Sequence, residues 1–141
     1  MKVSLPRGTK KKITGSKDVY KIMHAVLLRQ TKLRRRKEYF WCIGLNTSND
    51  IMFIELVSMG SLNKTIVEPV EVFWLATNKK TTSVILVHNH TGTSTKPSSQ
   101  DLLLTDRLRD GGKLLGIEIV DHIIITEKNG YLSFDDEGLL K

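Results

Sequence analysis

A short apolar strand followed at once by two histidines constrains the fold of this chain more than any other feature. Residues 83–87, Ser-Val-Ile-Leu-Val, are mostly apolar and β-branched, a pattern that predicts a strand buried on both faces. His88 and His90 follow at i and i+2, so both imidazoles can point to one side of the sheet. The chain therefore places two potential metal ligands at the end of a buried strand.

A polar loop leads from these histidines to the start of a helix. Ser98 occupies the position of a helix N-cap, and Asp101 falls in the first turn, which brings its carboxylate back toward the strand end. Each residue alone also fits a structural role, because Ser-x-x-Asp often caps a helix and a buried histidine often only satisfies the core. The combined pattern His-x-His-x7-Ser-x2-Asp favours a metal site of His88, His90 and Asp101.

The ligand types favour zinc in a catalytic site. Two imidazoles and one carboxylate leave a fourth position for water, whereas structural zinc sites usually have four protein ligands rich in cysteine. Cys42 is the single cysteine, so a zinc finger is excluded. The sequence also lacks the His-x-Glu and Pro-Cys-x-x-Cys motifs of the zinc deaminases and a His-Glu-x-x-His helix. The predicted cofactor is Zn²⁺, and the predicted chemistry is hydrolysis.

Several separated segments together resemble one known family. They are Gly60-Ser61-Leu62-Asn63, Val72-Phe73, residues 85–90, Pro97-Ser98 with Asp101, Gly116-Ile117 and residues 121–125. In order and spacing, from about Lys37 to Gly138, they resemble the RadC-like group of JAMM (MPN-plus, JAB) metallopeptidase domains. The resemblance implies an α/β fold, a cytidine-deaminase-like three-layer sandwich with helices flanking a mixed β-sheet. It also implies zinc bound by His88, His90 and Asp101.

The resemblance implies a general base as well. The family uses a glutamate from an early strand, and the matching residue here is Glu38. The spacing of this chain alone does not distinguish Glu38 from Glu55, Glu68 or Glu71, which are equally acidic. In the implied mechanism Glu38 takes the proton of a metal-activated water and delivers it to the leaving amine. Ser98 is expected to donate its hydroxyl to the oxyanion or to that water.

The chain departs from the family pattern in two places. The family usually follows its second histidine with Pro-Ser-Gly, whereas this chain has Thr91-Gly92-Thr93, which lacks the rigid φ of proline. Longer members also carry an N-terminal helix-hairpin-helix-like domain, of which this sequence shows no trace. A further histidine, His122, lies in an apolar run, and we expect it to be structural or to orient a metal ligand.

Length and composition predict one domain. A chain of 141 residues that is 40% hydrophobic can bury one core but is short for two domains. It has no apolar run long enough to span a bilayer, and its start lacks the apolar stretch of a signal peptide. A lone cysteine suits a reducing compartment. The predicted location is the cytoplasm.

Positive charge is concentrated in the first quarter of the chain. Residues 1–37 contain 13 Lys or Arg and one acidic residue, Asp18, whereas residues 38–141 contain 9 Lys or Arg and 14 Asp or Glu. Residues 1–15 are expected to form a basic disordered tail, and residues 16–141 a single domain. The basic cluster either stays solvated at the end of a helix or contacts nucleic acid through its phosphates. Nucleic acid is therefore a candidate partner.

The remaining periodicity predicts alternating helices and strands. Ser16 is predicted to cap one helix, whose apolar stripe runs from Val19 to Leu33 and which ends with Arg34-Arg35-Arg36-Lys37. Trp41 and Trp74 are expected in the core. The other predicted elements are a hairpin of 39–45 and 51–57, helices over 69–78 and 99–115, a strand over 117–125 and a turn at Asn129-Gly130 into 131–134.

Three functions are compatible with these features. The ligand set and Glu38 favour a zinc hydrolase that cleaves a peptide or isopeptide amide bond. The basic first quarter keeps open a nucleic-acid-associated repair or mobile-element accessory protein with a structural or vestigial zinc site. A protein-interaction module that kept the fold without catalysis is the third possibility, because fold alone does not determine function.

Overall fold

The computed structural model describes residues 1–60, 67–128 and 130–140. A 3₁₀ turn at Arg34–Arg36 separates the first helix from the second strand. In chain order the strands and helices are β1 (Lys2–Val3), α1 (Ser16–Leu28), β2 (Glu38–Leu45), β3 (Ile51–Gly60), α2 (Pro69–Asn78), β4 (Ser83–Asn89), α3 (Ser99–Leu115), β5 (Glu118–Ile125) and β6 (Tyr131–Ser133).

The strands form one mixed sheet in the order β1-β3-β2-β4-β5-β6. β4 and β5 are parallel, and the other neighbours are antiparallel. The parallel pair follows from the connection, because α3 crosses over the sheet between the two strands. β4 is therefore bonded on both edges, to β2 and to β5, near the centre of the sheet.

Helices cover both faces of the sheet. Alternate residues of β2, such as Tyr39 and Trp41, pack in a core cluster with α1. The residues between them, such as Phe40 and Cys42, pack in a second cluster with α2 and with Leu108 of α3. Period-two alternation thus divides one buried strand between two cores. The expected three-layer α/β sandwich with a mixed sheet is confirmed.

The register of β4 and β5 changes near the start of the pair. Val84 lies opposite Ile119, but Ile85 lies opposite Asp121, so Val120 is an extra residue in β5. Beyond this irregularity Leu86 pairs with His122. Because paired residues of adjacent strands share a face, His122 lies on the face that holds Leu86 and α3.

Residues 1–15 were expected to be a disordered tail, and the structure corrects this expectation. β1 pairs with β3, where Lys2–Val3 lies opposite Glu55 and its neighbour. Ile13 is buried in the α1 core cluster, and its N–H donates to Asn49 O at 2.9 Å. The outer edge of β3 provides backbone partners for this segment, and apolar burial holds it despite its charge.

The first helix is shorter than its apolar stripe predicted. Its N-cap is Gly15, so the expected cap at Ser16 is wrong by one residue. The helix ends at Leu28, and Leu33 is 73% exposed. Arg35 folds back, with Nε donating to Gln30 O and Nη2 donating to Leu28 O, both at 2.8 Å. Carbonyls left without helical partners are thereby satisfied by a side chain from the next turn. The basic residues after Leu33 therefore form a separate turn instead of the end of α1.

The expectation that both tryptophans lie in the core holds for one of them. Trp41 is buried, but Trp74 is 67% exposed. α2 buries Val72, Phe73 and Ala76, and the helical turn places Trp74 away from that face. Two predicted features cannot be compared, because Ser61-Leu62-Asn63 and Asn129 lie outside the described residues. In the described ranges, no helix is long and apolar enough to span a membrane.

The predicted helix over residues 99–115 matches α3, although Gly111 and Gly112 lie in its last turns. A Cβ added at Gly112 would lie 2.5 Å from the backbone oxygen of Ile117. The glycine therefore lets the end of α3 approach the segment that enters β5.

Gly112→Ala is expected to destabilise the fold, although alanine normally favours a helix by about 1 kcal/mol over glycine. The clash with a backbone atom should lower the free energy of unfolding by about 1–3 kcal/mol. Leu114→Ala, at a position 88% exposed in the same turn, serves as the control and should change it by less than about 0.5 kcal/mol. Urea unfolding of the three proteins measures the difference; a more stable Gly112→Ala protein would contradict the close approach.

Candidate metal centre

The end of β4 supplies two histidines. His88 is fully buried and pairs with Phe40 of β2, on the face covered by α2 and α3. His90 follows the strand, and its N–H donates to Ile125 O at 2.9 Å, which adds a bond beyond the β4–β5 ladder. The two imidazole centroids lie 5.0 Å apart. The strand thus presents both rings to a common space.

The start of α3 supplies the carboxylate through a capping box. Ser98 Oγ accepts from the Asp101 N–H at 3.0 Å, and Asp101 Oδ2 accepts from the Ser98 N–H at 2.9 Å. These reciprocal bonds satisfy helix-terminal donors and limit the rotation of the Asp101 side chain. Ser98 and Asp101 therefore cap the helix and border the histidines at the same time.

The structure brings the three predicted ligands together. Asp101 Oδ1 lies 3.3 Å from His88 Nε2, and Asp101 Oδ2 lies 3.0 Å from His90 Nε2. One ligand atom from each of the three residues lies within 4.8 Å of the others, so the group could hold a metal ion. His90 remains partly exposed, which leaves solvent access on its side of the site.

Hydrogen bonding directs the Nε2 atom of His90 toward the carboxylate. Its Nδ1 lies 3.0 Å from Ser94 O, and a carbonyl only accepts, so Nδ1 carries the proton. The bond to Asp101 raises the pKa of His90 against the opposing effect of burial. Burial alone would raise the pKa of Asp101, but the neighbouring imidazoles of His88 and His90 bring it below its ordinary value. A shared cation, either a proton or a metal, suits this arrangement.

His88 provides a sharper test of fit to a metal. Its Nε2 is buried and has no hydrogen-bond partner of acceptable geometry among the described residues, although Asp101 Oδ1 lies nearby. A buried polar atom without a partner costs free energy, and an imidazole nitrogen beside a carboxylate is a favourable pair of metal ligands. The residues present therefore fit a divalent metal at this position.

Glu38, at the start of β2, lies beside the same site. In the antiparallel β2–β4 pair Phe40 lies opposite His88, and Glu38 precedes Phe40 by two residues on the same face. The pKa of His90 is raised first by its bond to Asp101, and the charge of Glu38 adds to that shift. The strand register thus places Glu38 next to the candidate metal centre.

Two of the other glutamates interact elsewhere. Glu55 Oε1 accepts from the amino group of Met1 at 2.7 Å, and Glu68 Oε2 accepts from Arg107 Nη2 at 2.6 Å. Glu71 is exposed in the first turn of α2. Glu55 and Glu68 therefore have other partners, whereas Glu38 lies two residues before the Phe40 that pairs with His88.

Asn89 organises the strand end on the opposite face, a role that the sequence analysis missed. Its Oδ1 accepts from the Tyr39 N–H at 2.6 Å, and its Nδ2 donates to Lys37 O at 3.0 Å. The two bonds hold the backbone immediately before and after Glu38. The sequence signal for this contact was an asparagine between two histidines at the end of an apolar strand.

Thr105 is the second residue that the sequence analysis missed. Its Oγ1 donates to Asp101 O at 2.8 Å and lies 2.6 Å from His122 Nδ1. His122 Nε2 lies 2.7 Å from His88 Nδ1, so His122 contacts a candidate ligand, as expected for an orienting residue. Burial lowers the pKa of His122 well below its ordinary value. The spacing of Asp101 and Thr105, one helical turn apart, was the available signal.

The loop that departs from the family pattern is also tied to the site. After Thr91-Gly92-Thr93, the carbonyl of Ser94 bonds to His90 Nδ1, and Ser94 Oγ accepts from the Lys96 N–H at 3.1 Å. These contacts provide an anchor that the missing proline would otherwise supply through its fixed φ.

Comparisons with known proteins agree with the resemblance. The model of the RadC-like JAB domain matches residues 13–139. A UPF0758 protein of Methanosarcina mazei is 46% identical over 132 residues, 94% of this chain and 55% of that protein. UPF0758 proteins of Alkaliphilus metalliredigens and Listeria innocua are 46% and 45% identical over 74% and 72% of this chain, and 45% of each relative is covered.

The chain thus spans about half the length of the curated relatives it matches. The match to the family model begins at residue 13, within the segment expected to be a tail, and it includes His88, His90 and Asp101. Because that match covers most of the sequence and the relatives agree with it, the expected resemblance is confirmed and the chain belongs to the RadC-like JAB domain family.

Proposed function

We propose that the chain is a zinc-dependent hydrolase of the JAMM type that cleaves a peptide or isopeptide amide bond. The observation that carries this proposal is the convergence of His88, His90 and Asp101, in which the buried Nε2 of His88 lies 3.3 Å from the carboxylate and has no hydrogen-bond partner among the described residues. Two imidazoles and one carboxylate are a ligand set of catalytic zinc sites, in which a fourth position stays open. Zinc bound here would supply an acidified water and a Lewis acid for the substrate carbonyl.

Glu38 is the proposed general base. It would accept a proton from the attacking water and return it to the leaving amine. Its backbone is held on both sides by the Asn89 amide, through Tyr39 N–H and Lys37 O. Such support limits the movement of the backbone that carries Glu38, and general acid–base catalysis depends on the position of the base.

Ser98 is the proposed donor to the oxyanion. In the capping box Ser98 Oγ accepts from the Asp101 N–H, so the bond uses a lone pair and leaves the hydroxyl proton able to donate. The cap also fixes the position of the oxygen. A donor held in place before the reaction can stabilise the developing negative charge by a few kcal/mol.

The first prediction concerns metal content. Protein purified without added metal should contain about one zinc per chain. Asp101→Asn, which keeps an oxygen for the helix cap, should lose most of that zinc because the ligand charge is gone. Asp106→Asn, at an exposed position of the same helix, is the matched control and should retain it. Elemental analysis of the three proteins measures the difference, and a folded wild type that stays free of zinc after zinc is supplied would refute the proposal.

The second prediction concerns the general base. Glu38→Gln should keep the zinc and reduce turnover by about 10²–10⁴-fold, because the amide cannot take the proton. Glu71→Gln, at an exposed position, should leave both unchanged. Release of a fluorophore from peptide amides is measured together with zinc content. Undiminished turnover by the Glu38→Gln protein would remove Glu38 from the mechanism.

A second candidate function is nucleic-acid binding beside the metal centre, by an accessory protein whose zinc is structural. The specific observation is the position of the basic turn after α1. Arg34, Arg36 and Lys37 are exposed, the turn directly precedes Glu38 in the chain, and Tyr39 Oη donates to Arg34 O at 3.1 Å. Exposed cations of this kind attract phosphates without sequence preference.

The third prediction tests that candidate. The double variant Arg34→Glu/Arg36→Glu should weaken binding to a short single-stranded DNA and reduce the slope of log K against log salt by about 1–2. The control Lys79→Glu/Lys113→Glu carries the same charge change at exposed positions near the other end of the sheet, and it should have a smaller effect. Fluorescence anisotropy at several salt concentrations measures the DNA affinity of each variant. Equal losses of affinity in the two double variants would argue against a specific binding surface.

A further inference from the structure

A buried chain of hydrogen bonds starts at one candidate metal ligand and returns to another. His88 Nδ1 lies 2.7 Å from His122 Nε2, and His122 Nδ1 lies 2.6 Å from Thr105 Oγ1. Thr105 Oγ1 then donates to Asp101 O at 2.8 Å. His88, His122 and Thr105 are all buried, so water does not compete for these bonds. These hydrogen bonds link β4, β5 and α3 behind the candidate metal centre.

The positions of the protons follow from the last bond. A carbonyl only accepts, so the single hydroxyl proton of Thr105 points to Asp101 O. Thr105 Oγ1 can then bond His122 only by accepting, which places a proton on His122 Nδ1. A neutral His122 keeps a lone pair on Nε2 and accepts from His88 Nδ1–H. His88 is left with its lone pair on Nε2, the atom that faces the carboxylate of Asp101.

The surroundings of His122 favour its neutral form. Its ring stacks on Phe134 with centroids 4.6 Å apart, and it meets the edge of Phe40 at 5.8 Å. Burial between aromatic rings disfavours an imidazolium. The side chain must also accept at one nitrogen and donate at the other, which neutral histidine does in a single plane.

We propose that Thr105 and His122 are positioning residues that set the tautomer of His88, so that its Nε2 lone pair points to the metal before the metal arrives. This inference rests on the proposed zinc function. It adds that the direction of one hydroxyl proton on α3 determines whether a buried imidazole on β4 can bind metal. Partners of this kind orient metal ligands and commonly change metal affinity by about 10–100-fold.

Removing the Thr105 hydroxyl should reverse the direction of the hydrogen bond between His122 and His88. In Thr105→Val the acceptor for His122 Nδ1–H is lost, so the tautomer of His122 with the proton on Nε2 is no longer disfavoured. That proton would be donated to His88 Nδ1 and move the His88 proton to Nε2, where it points to Asp101 Oδ1 and competes with a metal. Thr105→Ser keeps the hydroxyl and should keep the wild-type arrangement.

The experiment measures tautomers and metal affinity separately. Long-range ¹H–¹⁵N NMR of the metal-free proteins shows which nitrogen of His88 and His122 is protonated, and competition with a chromophoric chelator gives the dissociation constant for Zn²⁺ alone. We expect Nδ1–H on both rings in the wild type. Thr105→Val should shift the proton to Nε2 and weaken zinc binding about 10–100-fold, and Thr105→Ser should restore both.

Thr81→Val is the matched control. Thr81 is buried near the other end of β4, and its Oγ1 has no hydrogen-bond partner among the described residues. The same chemical change there should leave the tautomers and the zinc affinity unaltered. If Thr105→Val fails to fold, Thr105→Ala removes the same hydroxyl without the added methyl groups and is measured instead.

The outcomes separate this inference from the proposed function. A wild type that binds no zinc would overturn the proposed function and the inference that rests on it. Tight zinc binding by the wild type, with tautomers and affinity unchanged in the Thr105 variants, would overturn the inference alone. A loss of affinity in Thr105→Val that serine does not rescue would also overturn it, because it would indicate packing instead of hydrogen bonding.

Discussion

The pairing of β4 on both of its edges is the constraint on which the metal centre depends. β2 and β5 bond to this strand along its length, so its backbone cannot rotate and His88 has one direction available. The same pairing brings Glu38 to the site from β2 and His122 from β5. α3, which crosses between the parallel strands, adds Asp101 and Thr105. The elements that enclose β4 therefore also supply the side chains of the site.

Asp101 combines two demands that usually conflict. A helix N-terminus prefers a carboxylate in its first turn, whereas a buried carboxylate is costly without partners. Here the Ser98 N–H and the two imidazoles supply those partners, and together they keep Asp101 ionised despite its burial. The negative charge of Asp101 thus serves both the helix N-terminus and the candidate metal centre, so the residue that provides the ligand also stabilises the helix.

The features that the sequence predicted correctly depend on residues close together in the chain. The strand before His88, the Ser98 cap and the start of α2 at Pro69 depend on local periodicity and local bonds, and the structure agrees with them. Glu38 came from the resemblance, because its approach to His90 depends on the pairing of distant strands.

The errors and omissions involve contacts between segments far apart in the chain. The end of α1 at Leu28 depends on the return of Arg35, and the order of the first residues depends on β3. Trp74 is exposed because it lies off the face of Val72, Phe73 and Ala76 that α2 buries. The roles of Asn89 and Thr105 require the assembled sheet. Periodicity along one segment carries no information on such partners.

The extra residue in β5 has a consequence for how the site could be lost. If Val120 were paired with Ile85 in a regular ladder, Asp121 would lie opposite Leu86 and His122 opposite Val87, whose side chain lies in the α1 core. A shift of this pairing by one residue would therefore turn His122 away from His88 while leaving every ligand in the sequence. Chemistry in this fold is thus encoded partly by the parity of residues along a strand, a property that counting motifs does not reveal.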